Sequence, residues 1–330
     1  MKAMGNYWKW ILPGVIILFL LLLPLWGSLY IMSIFIFIGL YGMAALGVGV
    51  LIGYAGQVNL GPNAFMLIGA YTSAILAVDY GISPWLGTLC GAILTGVIAY
   101  IIGRAILRLH GFILAVVTAC VALVSYRLVC ELEITRGVFG ITRIPHYAIG
   151  GFVLNQEVHY YYLVLVVLAI LYVVTSNLIK SRFGRGFMAL NLFHGGSEVA
   201  SEAVGLDVGK LKMQAFVVSA VYGSIGGSIY AHYVTCITPQ PFDLWWGLVL
   251  MMMATIGGMR SVLGPLIGSG LYFGLKEIIS LTGAIKMAGL ETFVFGLIFV
   301  LFLIFMPLGV VQLPSMVRRR WGKKDVGTAS

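Results

Sequence analysis

Charge is what this sequence has least of. Only 9% of its 330 residues are Asp, Glu, Lys or Arg, 61% are hydrophobic, and the mean hydropathy is +1.04. A soluble chain of this size needs roughly 25–35% charged residues on its surface, so the composition excludes a water-soluble globule. It implies an all-α polytopic membrane protein. Cysteine is scarce too. Cys90, Cys120, Cys130 and Cys236 show no CxxC spacing and sit mostly in apolar runs, so they read as small buried hydrophobes, not redox or metal ligands. No Walker A pattern is present, and ATP is not bound here in the P-loop manner. Neither HExxH nor GxSxG occurs, and the five histidines (His110, His146, His159, His194, His232) are scattered. An enzyme is not expected, nor is a metal or a cofactor.

What is present is a succession of apolar runs, at about 11–30, 31–52, 63–79, 85–103, 112–127, 159–179, 213–234, 246–258, 262–279 and 289–308. By length they predict about ten membrane spans, with 246–258 and 262–279 close enough to form one re-entrant or broken element. The first run is too long for a signal-peptide core and no A-x-A-like site follows it, so an uncleaved helix is expected. With the N-terminus in the cytoplasm, fifteen of the 20 Lys and Arg fall inside. Arg127, Arg136, Arg143, Lys276 and Lys286 fall outside. This bias places both termini in the cytoplasm. The predicted organisation is one transmembrane domain over 1–312, with an external loop at 128–158 and a cytoplasmic loop at 180–212. A basic tail at 313–330 would contact the lipid surface.

The most informative stretch is Gly53–Tyr71, GYAGQVNLGPNAFMLIGAY, where an apolar helical run breaks and then resumes. Lipid satisfies no exposed backbone, so such breaks persist only where protein covers them or where they line a polar cavity. Two readings stand side by side. In one, Tyr54, Gln57, Asn59 and Asn63 are the polar groups of a discontinuous element lining a translocation path, with Gly53, Gly56 and Gly61 making the break. In the other, a tight turn joins two short helices, and Gln57 and Asn59 merely cap helix ends. A second interruption, with Gly257, Gly258 and Gly264, carries Val262-Leu-Gly-Pro265, an echo of Asn59-Leu-Gly-Pro62. Paired interruptions of this kind point to a duplicated transporter core. The 43 glycines include small-xxx-small pairs at Gly49/Gly53, Gly87/Gly91, Gly223/Gly227, Gly264/Gly268 and Gly270/Gly274, faces on which helices approach closely.

These residues carry a resemblance. GYAGQVNLGPNAFMLIGAYTSAIL resembles the signature of permease subunits of branched-chain amino-acid ABC importers, the LivM/LivH family. SEAVGLDVGKLKMQAFVVSA (197–220), IGGMRSVLGPLIGSGL (256–271) and FMPLGVV (305–311) are similar to three further motifs of that family, in its order. The resemblance implies a permease powered by separate ATP-binding cassette subunits, paired with a second homologous permease and fed by an external solute-binding protein. It also implies that Ser197–Asp207 is the coupling helix for the ATPase. There Ser197 caps, Glu198 and Glu202 fall one turn apart, Ala200, Ala203 and Val204 form a small apolar face, and Gly205 stops the helix. An amphipathic loop helix at the lipid interface is the plainer alternative. The chain departs from the family pattern at Pro62, usually His, at Arg260, usually Gly, and at Met188 and Asn191, often charged. The rival function is an ion-coupled secondary transporter. That class needs ionisable groups deep in the membrane, whereas Asp79, Asp243, Glu277 and Glu291 are expected near span ends.

Overall fold

A computed structural model describes residues 21–24, 28–109, 111–191, 195–281, 294, 296–297, 300–301 and 309–310. Most of the expected first and last spans and of FMPLGVV, together with Glu291 and the basic tail, lie outside the described residues. Helix α1 (Leu29–Val48) continues as a π-helix over Gly49–Tyr54. After a non-helical stretch come α2 (Pro62–Val78), α3 (Pro84–Ile106) and α4 (Gly111–Glu131). Three short strands follow, β1 (Ile141–Thr142), β2 (Ala148–Ile149) and β3 (Phe152–Val153). Next are α5 (Glu157–Lys180), α6 (Arg182–Leu190), α7 (Glu198–Ala203) and α8 (Val208–Val234). Strand β4 (Cys236–Ile237) pairs antiparallel with β1, as β3 does with β2. Helices α9 (Leu244–Gly257) and α10 (Gly264–Leu281) follow.

Each apolar run from 31 to 279 thus coincides with a helix. Among the described residues, Leu29–Tyr54, α3, α4 and α5 are long and apolar enough to cross a membrane. The first is central and the others are peripheral: 78% of its most apolar window is buried, against 28% in each of the other three. A helix apolar all round needs protein on every side or lipid on some of them. Residues Ile36–Val48 of α1 take the first option, packed by α8, α10 and α5. The cysteines depart from the burial expected of them. Cys90, Cys120 and Cys236 are exposed and Cys130 is half-buried, because three of the four stand on the peripheral helices α3 and α4, whose outer faces the chain does not cover.

Close approaches fix the directions. Gly47 lies against Ser219 and Gly226 against Leu40, so α1 and α8 run antiparallel. Gly42 meets Ser269 and Gly49 meets Pro265, so α10 is also antiparallel to α1. By contrast α2 runs with α8: Gly223 lies near Pro62, Gly227 at Met66, and the Ser73 hydroxyl sits 2.7 Å from His232 Nε2. The bundle therefore has one end bearing the strand pairs and another bearing α6 and α7. The interruptions at 53–61 and 257–264 both begin at the α6–α7 end. The two Leu-Gly-Pro stretches open α2 and α10, which are not counterparts: α2 starts mid-bundle, and α10 starts at the α6–α7 end.

Candidate functional site

Two non-helical segments run into the bundle from opposite ends. The first is residues 55–61. Tyr54 marks the α6–α7 end, where its hydroxyl donates to the Arg260 carbonyl at 3.4 Å. Shortly afterwards Pro62 opens α2 beside Gly223, about halfway along α8. The second is residues 235–243. Thr235 ends α8 in a left-handed conformation (φ 59°), β4 pairs with β1, and a 3-10 turn at Gln240–Phe242 leads to Asp243. Asn63 ties the two segments together, its Nδ2 donating to the carbonyls of Phe242 and Asp243, each at 2.9 Å. The level is the bundle's middle, because Trp246 stacks on Tyr41, midway along Leu29–Tyr54, with ring centroids 4.8 Å apart. From that level α2 and α9 leave in opposite directions. They are about 25 and 21 Å long at 1.5 Å per residue, each short of the roughly 30 Å hydrocarbon core.

The backbone of the first segment is satisfied by neighbours. Six-residue spacing closes Gln57 N–H on the Leu51 carbonyl at 3.1 Å, and the Leu60 N–H donates to Thr118 Oγ1 at 3.1 Å. Asn59 Oδ1 accepts the Gly61 N–H at 2.8 Å, an Asx-type turn that leads the chain into α2. The carbonyls of Ile52 and Gly53, at the end of the π-helix, accept from Asn191 Nδ2 at 3.2 and 2.6 Å. Gly53 is required sterically, since a Cβ there would meet the Met259 carbonyl oxygen. Gly56 is required conformationally, with φ 69° against the Asn191 side chain.

Side chains of this segment are less satisfied than its backbone. Gln57, Asn59 and Asn63 are at most 3% exposed. Both amide atoms of Gln57, Asn59 Nδ2, Asn63 Oδ1 and the nearby Ser219 Oγ are buried without a hydrogen-bond partner among the described residues. The acids are placed as follows. Asp79 pairs with Arg136 at 2.8 Å and Glu277 accepts from the Tyr30 hydroxyl at 2.8 Å, both near helix ends. Asp243 differs from the expectation that it lies near a span end. It opens α9 in the middle of the bundle, because α9 itself begins there, and its Oδ1 caps the helix by accepting Trp246 N–H at 3.3 Å.

The loop at 180–212 is folded onto the bundle. Ser181 caps α6, which buries Gly184, Gly186, Phe187 and Leu190. Ser201 turns inward to donate to the Ala189 carbonyl at 2.9 Å. Glu198 and Glu202, one turn apart in sequence, separate in the fold: Glu198 accepts from Lys212 Nζ at 2.7 Å, whereas Glu202 faces outward. Val199 (78% exposed), Ala200, Ala203, Val204 (83% exposed) and Gly205 present a small outward apolar surface. The roles of Asn191, Thr118 and Asp243 as caps and backbone partners escape sequence reasoning. Their only signal is a polar residue in a place where apolar or charged ones are expected.

Non-helical chain held at membrane depth between full-length helices defines a class, the polytopic helical transport proteins. Comparison narrows it. The family model described as branched-chain amino acid transport system / permease component matches residues 30–303, and the chain belongs to that family. It is 27% identical over 263 residues to the high-affinity branched-chain amino acid transport system permease protein LivM of Salmonella typhimurium and to that of Escherichia coli. The match covers 72% of this chain but 61% of each relative's length. The guanosine ABC transporter permease protein NupQ of Bacillus subtilis is 25% identical over 74% of this chain and 79% of its own. No solved structure matches the chain.

Proposed function

We propose that this chain is the transmembrane permease subunit of an ABC importer that moves branched-chain or related amino acids, or similar small polar solutes, into the cell. Family membership supports the class, and the relatives, one of them a guanosine permease, support the breadth of solute. The observation that carries the transport path is the amide of Gln57, without a hydrogen-bond partner among the described residues and buried on non-helical chain at membrane depth. An unmade hydrogen bond of this kind costs about 1–3 kcal/mol. Such a cost is retained where a passing solute or water completes the bond. Tyr54, Gln57, Asn59 and Asn63 are then contacts of the path. The starts of α2 and α9 bring two helix N-termini together at mid-depth, a partial positive charge suited to a solute carboxylate.

In this reading the core is duplicated in inverted form: long helix, non-helical segment, short helix, long helix. The first copy is α1, 55–61, α2 and α3; the second, reversed in direction, is α8, 235–243, α9 and α10. Ten spans leave both termini in the cytoplasm of a bacterial-type inner membrane, with the α6–α7 end cytoplasmic because Arg104, Arg108, Lys180, Arg182, Arg185, Lys210 and Lys212 gather there. Helix α7 is the coupling element, entering a groove of an ATPase subunit with Val199, Ala200, Ala203 and Val204. The remaining partners are a second homologous permease and an external solute-binding protein. An ion-coupled secondary transporter gains nothing from Asp243, whose position is accounted for by capping α9. The decisive experiment is uptake into vesicles holding the chain with its partners. Uptake is expected to require ATP, the ATPases and the binding protein, and gradient-driven uptake by this chain alone would overturn the reading.

A further inference from the structure

A cleft of about 700 Å³ opens at the α6–α7 end, between the last turns of α3 and the start of α8. Gly103 lets the two helices close at its apex, where a Cβ would stand 2.9 Å from Met213 Sδ and 3.2 Å from the Phe216 ring. Four cations, Arg104, Arg108, Lys210 and Lys212, line the cleft against two carboxylates, Glu202 and Asp207. Two of the cations are already neutralised within the chain. Lys212 is held by Glu198 at 2.7 Å, and Lys210 by Asp207 at 2.8 Å. Arg104 and Arg108 have no side-chain partner among the described residues, and both are exposed.

Helical spacing aligns these two arginines with something else. Ile93, Val97, Tyr100 and Arg104 recur at three- and four-residue intervals and share one face of α3, and Arg108 stands in the turn that directly follows the helix. Ile93, Val97 and Tyr100 are exposed, as a helix facing lipid requires. An apolar stripe on a membrane-spanning helix thus runs directly into a pair of guanidiniums beside an open cleft. A soluble anion has no use for the stripe, and a soluble acidic partner does not reach it. We propose that this cleft binds the phosphate of an anionic phospholipid, its acyl chains lying along Ile93, Val97 and Tyr100. Arg104 and Arg108 are the phosphate ligands, because guanidinium presents paired donors matched to phosphate oxygens. Clefts of this composition at the end of a helical bundle suit anionic headgroups.

The test uses the full chain purified in detergent, with thermal unfolding followed after addition of phosphatidylcholine, phosphatidylglycerol or inorganic phosphate. Phosphatidylglycerol is expected to raise the midpoint by about 2–5 °C over the same amount of phosphatidylcholine. The R104Q/R108Q variant is expected to lose that increment while keeping its midpoint in phosphatidylcholine, and R104K/R108K to retain part of it. Native mass spectrometry is expected to find phosphatidylglycerol retained on the wild type and lost from R104Q/R108Q. Equal midpoints for wild type in the two lipids would overturn the proposal. So would an increment reproduced by inorganic phosphate, or one undiminished in R104Q/R108Q.

Discussion

Asn191 and Gln57 are both buried amides at the break after α1, and they do opposite things. Asn191 spends its donors on the Ile52 and Gly53 carbonyls, so Asn191→Ala removes two buried hydrogen bonds. We expect it to cost about 1–3 kcal/mol, read as a lowered thermal midpoint of the purified protein. An unchanged midpoint would show that the bonds are dispensable. The side chain of Gln57 makes no such bonds among the described residues, so Gln57→Leu removes none of the hydrogen bonds described as holding the fold. It should leave stability equal or slightly higher while ATP-dependent uptake falls about tenfold, a loss of roughly 1.4 kcal/mol in the transport step. If uptake survives, Gln57 is not a path contact. Both residues are polar letters in the sequence, and nothing in their spacing says which one is satisfied. That depends on whether a carbonyl from a distant segment lies within hydrogen-bonding reach.

At the scale of elements, α7 is fastened from behind and open in front. Lys212, nearly fully buried, reaches Glu198, whose side chain is one-third exposed. Glu198→Gln therefore weakens the seat of α7, by about 1–3 kcal/mol once solvent screening of the exposed carboxylate is allowed for. Limited proteolysis within 195–207 should then quicken; an unchanged rate would remove Glu198 from that role. Val204→Asp acts on the other face, where the side chain is 83% exposed. The permease should fold normally and fail to retain its ATPase subunits in pull-down, and intact association would argue against α7 as the coupling element. The non-helical segment before α2 makes a sharper demand. A Cβ at Gly61 would meet the Thr118 carbonyl, so Gly61→Ala should cost more than about 3 kcal/mol and appear as loss of folded protein in the membrane fraction.

For the bundle as a unit, the class and most of the elements were legible from residue order alone. Apolar runs long enough to cross a bilayer are a local property of composition, and eight of them coincide with helices between Leu29 and Leu281. The break at Gly53–Gly61 was legible for the same reason, since glycine, proline and amides inside an apolar run interrupt a helix wherever the chain lies. Depth and partnership were not legible. The Asn-Leu-Gly-Pro and Val-Leu-Gly-Pro echo joined α2 to α10, whereas the short helix matching α2 is α9, which begins after Asp243 without that motif. Only the tertiary structure put Asp243 at mid-depth, turned Glu198 inward and Glu202 outward, and set Asn191 against the end of α1. The physical reason is that hydropathy records how much apolar surface a segment carries. Which carbonyl is left unpaired, and which side chain comes within hydrogen-bonding distance of it, is decided by segments far apart in sequence once the bundle has closed.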